Sequence, residues 1–384
     1  MLPRYLPHFG WRSWRDWLFT RHENSGDAWP SFLESLGGSN LPAFRREFDT
    51  LRTGLVHYFS SVFRQRGGGS ILVSAQICRA VPLAIERAGL SVRYVDVGAA
   101  CPTPEPAEYA AALDKGTLGV LVAPFYGHIQ PDWSSLLAAL NGRLLVLDMA
   151  QGLGLGGRVA PLVRRADAIG YSFGLGKGLD TGGGLLLTRA ELELPGLARS
   201  GRAALAGALL KTIALRALLS AGCYRLVISR LDAIDAADQS VPVTGASVPA
   251  DVYRLWAARL PALLAEISRA RSRARALAAM PRLVAALRDT TVCFDPEASH
   301  LRQIIRVGNA SRRDILVSRL RAAGVDCAPA GEPLPAVPSA ELRFPHAAAF
   351  RSDAVRLPFL GRLNAGQFDR FRETLEKTVV DSLH

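Results

Sequence analysis

Residues 144–151 read Leu-Leu-Val-Leu-Asp-Met-Ala-Gln, a short apolar run that closes on the acid Asp148. A carboxylate at the end of a buried strand costs free energy unless a cation or a hydrogen-bond donor meets it there. A functional partner, a helix cap or a salt bridge would each meet that need. We therefore take Asp148 as the first candidate for a functional residue.

A second strand candidate ends at Ser172 and is followed by Phe173-Gly174-Leu175-Gly176-Lys177 and more glycines up to Gly184. Lys177 is one of four lysines in a chain whose Lys and Arg total 46, which leaves 42 arginines. Arginine can serve wherever only a positive charge is needed, whereas a Schiff base needs a primary amine. Lys177 is therefore a candidate nucleophile, with a lone surface lysine as the alternative.

Short apolar runs and helical stretches alternate over residues 50–190, which predicts an α/β fold with a mostly parallel sheet and crossover helices. The predicted strands are Ser70–Ser74, Val92–Val95, Leu118–Pro124, Leu144–Leu147, Ala168–Ser172 and Leu185–Thr188. The predicted helices between them are Thr53–Arg66, Ala80–Ala88, Pro106–Asp114 and Trp133–Leu140. Open α/β sheets bind ligands beyond the carboxyl ends of their strands, where Asp148 and Lys177 both lie.

The chain has 384 residues, more than one hydrophobic core usually supports, and its hydrophobic content of 49% excludes disorder. We predict a lead-in over residues 1–49, a large α/β domain over 50–260 and a small C-terminal α+β domain over 261–384. In the small domain the predicted elements are a strand Gln303–Val307, a helix Ser311–Ala323, a turn region Pro329–Pro338 and a helix Ala365–Val379.

Charge and cysteine usage limit the classes of function. The net charge is +12, but the arginines are scattered singly, which indicates a solvated basic surface and predicts no nucleic-acid partner. Five widely spaced cysteines without a C-x-x-C pair argue against a disulfide framework, and no spacing of ligands predicts a metal. With no signal-like N-terminus, these features predict a cytoplasmic protein.

The first twenty residues carry three tryptophans, Trp11, Trp14 and Trp17, among basic residues. On a helix this spacing puts the three rings on one face, which would suit either packing on the main body or a membrane interface. Peripheral membrane contact through residues 1–20 therefore stays open as an alternative to packing.

The residues Asp148-x-Ala150-Gln151, Ser172-Phe173-x-x-x-Lys177 and Gly182-Gly183-Gly184 together resemble a known constellation. It is that of the DegT/DnrJ/EryC1/StrS family of pyridoxal-phosphate-dependent sugar aminotransferases. The stretch Thr50-Leu51-Arg52-Thr53-Gly54-Leu55 is similar to the family's phosphate turn, and Phe125-Tyr126-Gly127 to its aromatic-glycine turn. The resemblance covers most of residues 50–380 and implies the fold-type-I architecture of pyridoxal-phosphate enzymes.

The resemblance also implies roles for the candidate residues. Lys177 would form the Schiff base with pyridoxal 5'-phosphate and move the proton, and Asp148 would pair with the pyridinium nitrogen. Gln151 would lie near the phenolic oxygen of the cofactor, and the Ser172 hydroxyl would hold its phosphate. The backbone N–H groups of Arg52 and Thr53 would join Ser172 there.

The implied reaction moves an amino group from an amino acid, with glutamate as the expected donor, to a keto acceptor. A nucleotide-linked keto sugar is the expected acceptor, in polysaccharide or secondary-metabolite biosynthesis. A homodimer is implied, because such enzymes build their active sites at a subunit interface.

Three departures from the family pattern stand out. Cys78 occupies the position where an aromatic ring usually stacks on the cofactor, and Thr50-Leu51 replaces the usual Ser-Gly. A cross-subunit asparagine in a G-x-N-x-R-like run has no counterpart between residues 190 and 260. A catalytically weak, membrane-associated member with a structural role in polysaccharide assembly is therefore an alternative.

The run Gly152-Leu153-Gly154-Leu155-Gly156-Gly157 fits G-x-G-x-x-G and follows a strand, so a nicotinamide-dependent oxidoreductase is a second alternative. Three residues separate the strand-end acid from the first glycine, and Pro161 interrupts the short helical stretch that follows. Both features disfavour a dinucleotide-binding turn.

Overall fold

The computed structural model describes residues 2, 41–174, 176–179, 182–192, 198–199, 246–247, 252–287 and 293–383. The three tryptophans of the N-terminal segment lie outside these residues. Most of residues 193–251, where the cross-subunit asparagine would fall, also lies outside them.

A seven-stranded sheet forms the centre of the large domain. Its strands are β1 (Phe44–Phe48), β2 (Ser70–Ser74), β3 (Ser91–Val95), β4 (Thr117–Val122), β5 (Leu144–Asp148), β6 (Ala168–Ser172) and β7 (Gly184–Thr188). The order across the sheet is β1-β7-β6-β5-β4-β2-β3. Strand β7 runs antiparallel to both its neighbours, and the pairings from β6 through to β3 are parallel.

Helices lie between the strands, as the alternating pattern predicts. They are α1 (Leu51–Arg66), α2 (Ala80–Arg87), α3 (Pro106–Ala111), α4 (Ser134–Ala139) and α5 (Ala160–Arg165). The strands β2, β5 and β7 are buried along their whole length, because helices cover both faces of the sheet. Thr50 caps the start of α1 by accepting a hydrogen bond from the Thr53 N–H, and Gly67 (φ 77°) ends the helix.

Strand β1 falls inside the segment predicted as a lead-in. It pairs with β7 over five residues, from Phe44 opposite Thr188 to Phe48 opposite Gly184. Phe48 is fully buried and joins the core beneath α1. The chain therefore enters the main sheet before residue 50, although its sequence there, Phe-Arg-Arg-Glu-Phe, is mostly charged.

The C-terminal part forms a smaller α+β unit around a three-stranded antiparallel sheet. Its strands β10 (Gln303–Arg306), β11 (Ala328–Pro329) and β12 (Ala354–Leu357) lie in the order β10-β12-β11. A separate parallel pair joins β8 (Ala198–Arg199) to β9 (Ala246–Ser247). The other helices in the described part of the chain are α6 (Val252–Ala278), α7 (Pro281–Ala286), α8 (Ala310–Ala322), α9 (Ala340–Arg343), α10 (Pro345–Asp353) and α11 (Ala365–Leu383).

Polar contacts join the two parts. The Asp96 carboxylate, just past β3, accepts hydrogen bonds from the backbone N–H groups of His346 and Ala347 at 2.9 Å each, at the start of α10. Arg306 binds Asp353 through two hydrogen bonds of 2.9 and 3.1 Å and also donates to the Ala99 carbonyl. These contacts attach the small domain to the main sheet at the edge where the parallel strands have their carboxyl ends.

The predicted fold class, a mostly parallel sheet flanked by helices with a smaller C-terminal α+β domain, is confirmed. Among the described helices, none combines the length and the apolar content that crossing a bilayer requires.

Candidate active site

Asp148 and Ser172 lie at the carboxyl ends of the neighbouring parallel strands β5 and β6. Asp148 pairs in register with Gly170, so both strands end at the same edge of the sheet. The sequence of β5 is apolar up to its last residue, which buries the backbone and leaves the acid at the edge. Two predicted site residues therefore share one edge, where open α/β sheets bind ligands.

The Asp148 carboxyl group is 7% exposed, and within the described chain it accepts one hydrogen bond, from the Ala150 N–H to Oδ1 at 2.9 Å. Burial raises its pKa, while the Ala150 hydrogen bond and the positive charge of Lys177 lower it to a smaller extent. Its second oxygen, Oδ2, has no hydrogen-bond partner among the described residues. A buried carboxylate in this state favours a ligand that brings an N–H donor or a positive charge.

Lys177 projects from a turn whose backbone only glycine adopts readily. Its neighbours Gly176 (φ 74°) and Gly178 (φ 101°) both lie in the left-handed region. The Lys177 N–H donates to the Gly174 carbonyl at 3.0 Å, which closes the turn. These contacts fix the backbone of the lysine just beyond the end of β6.

The far side of this turn is held by a buried ion pair. Arg362 donates to the Gly178 carbonyl and binds Glu266 of α6 at 2.9 Å, and both partners are almost fully buried. A Cβ atom at Gly178 would meet the Leu263 side chain at 2.8 Å. The lysine turn is therefore packed tightly against α6.

Cys78 lies in the turn between β2 and α2 and is half-buried. Burial raises its pKa, whereas the positive charge of Lys177 lowers it and the charges of Glu332 and Asp148 raise it. The charges of Lys177 and Asp148 both act on the Cys78 thiol, which indicates that these three predicted residues lie near one another.

Gln151 is directed toward the aromatic-glycine turn after β4. Its Oε1 atom accepts a hydrogen bond of 2.5 Å from the Tyr126 N–H, and Tyr126 itself has a positive φ of 53°. This bond fixes the orientation of the amide and leaves Nε2 without a partner among the described residues. The free N–H₂ group can donate to an oxygen of a ligand near Asp148.

The start of α1 packs on the ends of β6 and β7. A Cβ atom at Gly184 would meet the Leu51 nitrogen at 2.4 Å, and Gly184 pairs with Ser172. The predicted residues Arg52 and Thr53 are therefore close to Ser172.

The Thr53 N–H donates to the Thr50 Oγ1 atom at 3.2 Å. Asp49 accepts hydrogen bonds from the Thr53 hydroxyl at 2.7 Å and from the Thr50 N–H at 2.8 Å. One of the two N–H groups predicted to hold a phosphate thus has an internal acceptor, and a carboxylate sits at the same helix end.

Sequence reasoning missed three residues of this site: Asp49, Tyr126 as a partner of Gln151, and Glu332. The pattern Asp-Thr-x-x-Thr at 49–53 carried a signal, because Asp and Thr are typical helix caps. Glu332 gave none, since it lies in a proline-rich turn far along the chain. Its backbone is held by Gln76, whose Oε1 accepts from the Glu332 N–H at 2.8 Å.

The glycine run at 152–157 gives no dinucleotide-binding turn. It ends in a short 3₁₀ helix, Gly156–Arg158, followed by the six-residue α5. A dinucleotide fingerprint instead leads directly from its strand into the crossover helix.

Comparison with solved structures identifies the architecture. Spr1654 of Streptococcus pneumoniae in its PMP form, named as a sugar aminotransferase, superposes with a TM-score of 0.69 at 16% identity over 100% of both chains. The aminotransferase TlmJ of Streptoalloteichus hindustanus gives 0.68 at 20% identity over 99% of both chains. A DegT DnrJ EryC1 StrS aminotransferase of Brucella abortus gives 0.61 at 16% identity, over 92% of this chain and 90% of the other.

The chain has the fold of these aminotransferases. The expected fold-type-I architecture is thus confirmed. No family model matches the sequence, and the search of curated proteins found no match. At identities of 20% or less the likeness establishes the fold, so function has to be argued from the site.

Proposed function

We propose that this protein is a pyridoxal-phosphate-dependent aminotransferase. The observation that carries the proposal is the pair formed by Asp148, a buried carboxylate with one oxygen that has no partner among the described residues, and Lys177, held between two left-handed glycines. The fold shared with solved sugar aminotransferases supports it. The resemblance to the aminotransferase family also places an acid and a lysine at these strand ends.

The residues fit the cofactor well at one end. We define the ring end of the site as Asp148, Gln151 and Lys177. Here Oδ2 of Asp148 can accept the pyridinium N–H, and the partnerless Nε2 of Gln151 can donate to the phenolic oxygen. Both side chains are oriented beforehand by bonds to Ala150 and Tyr126, so little rearrangement is needed on binding.

We define the phosphate end as Ser172 together with residues 49–53 at the start of α1. The Ser172 hydroxyl and the backbone of Arg52 are the donors we assign to the phosphate, with the helix N-terminus adding its partial positive charge. The Thr53 N–H contributes only if it leaves Thr50. Asp49 opposes the phosphate by its charge.

The bound cofactor supplies an electron sink for the carbanion formed at the substrate carbon. Lys177 would hold the cofactor through its amine, and the same amine, when free, would move a proton between the substrate carbon and the cofactor carbon in each half of the reaction. Asp148, in its carboxylate form, would accept the ring N–H and so keep that nitrogen protonated. We assign Cys78 to the surroundings of the ring, because the charges of Lys177 and Asp148 both act on its thiol.

We further propose glutamate as donor and a nucleotide-linked keto sugar as acceptor, in polysaccharide or secondary-metabolite biosynthesis. The sugar aminotransferases among the similar structures support this choice. A homodimer and a cytoplasmic location remain predictions from the resemblance and from the cysteine usage.

The test is the visible absorbance of lysine-bound cofactor together with glutamate-dependent amination of keto-sugar nucleotides. We expect wild type to show both, and Lys177→Ala to lose the band and at least about 1,000-fold in rate, as expected for loss of the nucleophile and base. Lys115→Ala, which changes an exposed lysine, should keep both. A wild type that stays colourless with added pyridoxal phosphate overturns the proposal.

A further inference from the structure

The small domain contains a cleft of about 660 Å³ between α8, α10 and the segment 328–334. Four arginines line it, Arg313, Arg321, Arg351 and Arg356, with one acid, Glu341. Ala328, Pro333 and Leu334 add apolar surface. A cavity of this size holds a small molecule rather than a single ion, and its lining favours one with negative charges.

The arginines stand on three different elements, so their concentration is a result of the fold and not of one basic run. Arg313 is held from two sides, by the Arg351 carbonyl at 2.7 Å and by the Asp314 carboxylate at 2.8 Å. Arg321 donates to the Cys327 carbonyl at 2.8 Å. Backbone carbonyls thus orient both guanidinium groups. Asp314 beside Arg313 and the buried Asp326, 3.9 Å from Arg321, partly balance these two charges.

Arg351 provides the strongest reason to expect a ligand. It lies near the end of α10, its side chain is exposed, and its guanidinium makes no hydrogen bond or ion pair within the described part of the chain. A guanidinium offers five donors in a planar fork that suits phosphate oxygens. An arginine in this position can bind an incoming anion without giving up an existing partner.

The cleft shares a wall with the proposed active site. A Cβ atom at Gly331 would meet the Arg351 Cα atom and the Gln76 Oε1 atom, both at 3.2 Å. On the other side, burial raises the pKa of the Tyr126 hydroxyl, whereas the Arg356 charge and the Gly331 N–H lower it to a smaller extent, which indicates that both lie near this hydroxyl. Tyr126 in turn donates to Gln151, so an occupant of the cleft lies one residue layer from the ring end.

We infer that this cleft binds a phosphorylated small molecule, with Arg351 and Arg356 as the principal phosphate ligands and the apolar wall against its remainder. The site contains none of the residues proposed to hold pyridoxal phosphate, so it is a second phosphate site. It goes beyond the proposed aminotransferase activity and does not depend on it. The volume exceeds what one phosphate group fills, which favours a diphosphate or a larger phosphorylated compound.

The test is calorimetric titration of inorganic pyrophosphate into the full chain preloaded with pyridoxal phosphate. We expect saturable binding to wild type and roughly tenfold weaker binding to Arg351→Gln, which removes a charge-assisted hydrogen-bond donor. The matched control is Arg312→Gln. Arg312 is an exposed arginine next to Arg313 in the sequence, but it does not line the cleft. This control should bind pyrophosphate as wild type does.

Folding and lipid binding are checked separately. Arg356 is half-buried, so Arg356→Gln is interpreted only if its melting temperature stays near wild type, whereas Arg351 is exposed and its change should leave stability intact. Binding of the protein to phosphatidylglycerol vesicles is measured to test a lipid headgroup as the ligand.

Three outcomes would each overturn the inference. They are equal affinity of wild type and Arg351→Gln for pyrophosphate, an equal loss of affinity in Arg312→Gln, and binding to vesicles alone. Cofactor absorbance is read in the same samples, so a failure of the proposed enzyme function is recognised independently.

Discussion

The ring end and the phosphate end of the proposed site each contain one aspartate, and the two carboxylates are in opposite situations. Within the described part of the chain, Asp148 at the ring end has a single hydrogen bond and an unpartnered oxygen. Asp49 at the phosphate end accepts from both the Thr53 hydroxyl and the Thr50 N–H. The first carboxylate gains a partner when a cation or N–H donor binds, whereas the second already has its partners and repels an anion.

This difference indicates where the binding free energy of the cofactor comes from. The ring end is oriented in advance and lacks only its ligand, so binding there relieves the cost of a buried charge. The phosphate end is largely satisfied within the chain. We therefore expect substitutions at the ring end to affect activity strongly, and substitutions at the phosphate end to affect helix stability and affinity modestly.

After the loss of Lys177, the largest effect is expected from Asp148→Asn. The amide keeps the size of the side chain but removes the charge that keeps the ring nitrogen protonated, so kcat/KM should fall roughly 100- to 1,000-fold. Steady-state amination kinetics measure this, with Asp132→Asn as the control at an exposed carboxylate. Activity within threefold of wild type would separate Asp148 from the chemistry.

The same substitution has a pH signature in the cofactor-free protein. Burial raises the pKa of Asp148, so the folded state holds its proton more tightly than the unfolded chain does. Between the ordinary pKa and the raised one, the free energy of unfolding therefore falls as pH rises. Denaturation at several pH values should show this slope in wild type and a smaller slope in Asp148→Asn, which should be more stable than wild type at neutral pH.

Next in size is the effect of Gly178→Ala. The φ of 101° and the close Leu263 contact make an added Cβ strained, at a cost of about 1–3 kcal/mol in the free energy of unfolding. The control is Gly174→Ala, where a Cβ would have Ser172 Oγ as its one near neighbour among the described residues, at 3.9 Å. If both variants melt alike, the turn is not the rigid support for Lys177 that the contacts indicate.

The ring end could be predicted from the sequence because its signals are local. An apolar strand that ends in an acid, and a lysine among glycines after the next strand, are visible in the residues themselves. Because parallel strands of one sheet end at the same edge, the alternation of strands and helices in the sequence is enough to predict that these strand ends share an edge. The strand limits also followed from short apolar runs; for β2 and β6 the predicted and observed limits coincide.

The remainder depends on contacts that the sequence does not announce. Strand β1 was missed because its Arg-Arg-Glu centre lacks an apolar pattern, and its place is set by pairing with β7, about 140 residues away. Glu332 is held near the site by Gln76, 256 residues earlier, which binds both the N–H and the carbonyl of Glu332. Helix α1 begins two residues before its predicted start, because Thr50 and Asp49 cap it.

A smaller effect is expected at the cap itself. Thr50→Ala removes the oxygen that accepts from the Thr53 N–H and should cost about 1 kcal/mol in the free energy of unfolding, while Thr50→Ser should cost little. Cofactor affinity should stay within about threefold, because the freed Thr53 N–H becomes available to the phosphate. A tenfold loss of affinity in Thr50→Ala alone would show that Thr50 itself binds the phosphate.

The smallest effect, and the one that distinguishes the two aspartates most sharply, is expected from Asp49→Asn. The amide oxygen can still accept from Thr53 and Thr50, so the cap persists, but the negative charge beside the phosphate is gone. Removing a like charge near the protein surface is worth about 1 kcal/mol or less, so cofactor affinity should rise two- to fivefold.

The affinity is measured by titrating the apoprotein with pyridoxal phosphate and following the absorbance, at low and at high salt. Screening should reduce the gain, because the effect is electrostatic. An affinity that falls in Asp49→Asn would mean that this carboxylate supports the phosphate end by ordering its donors, and the opposition of the two aspartates would no longer hold.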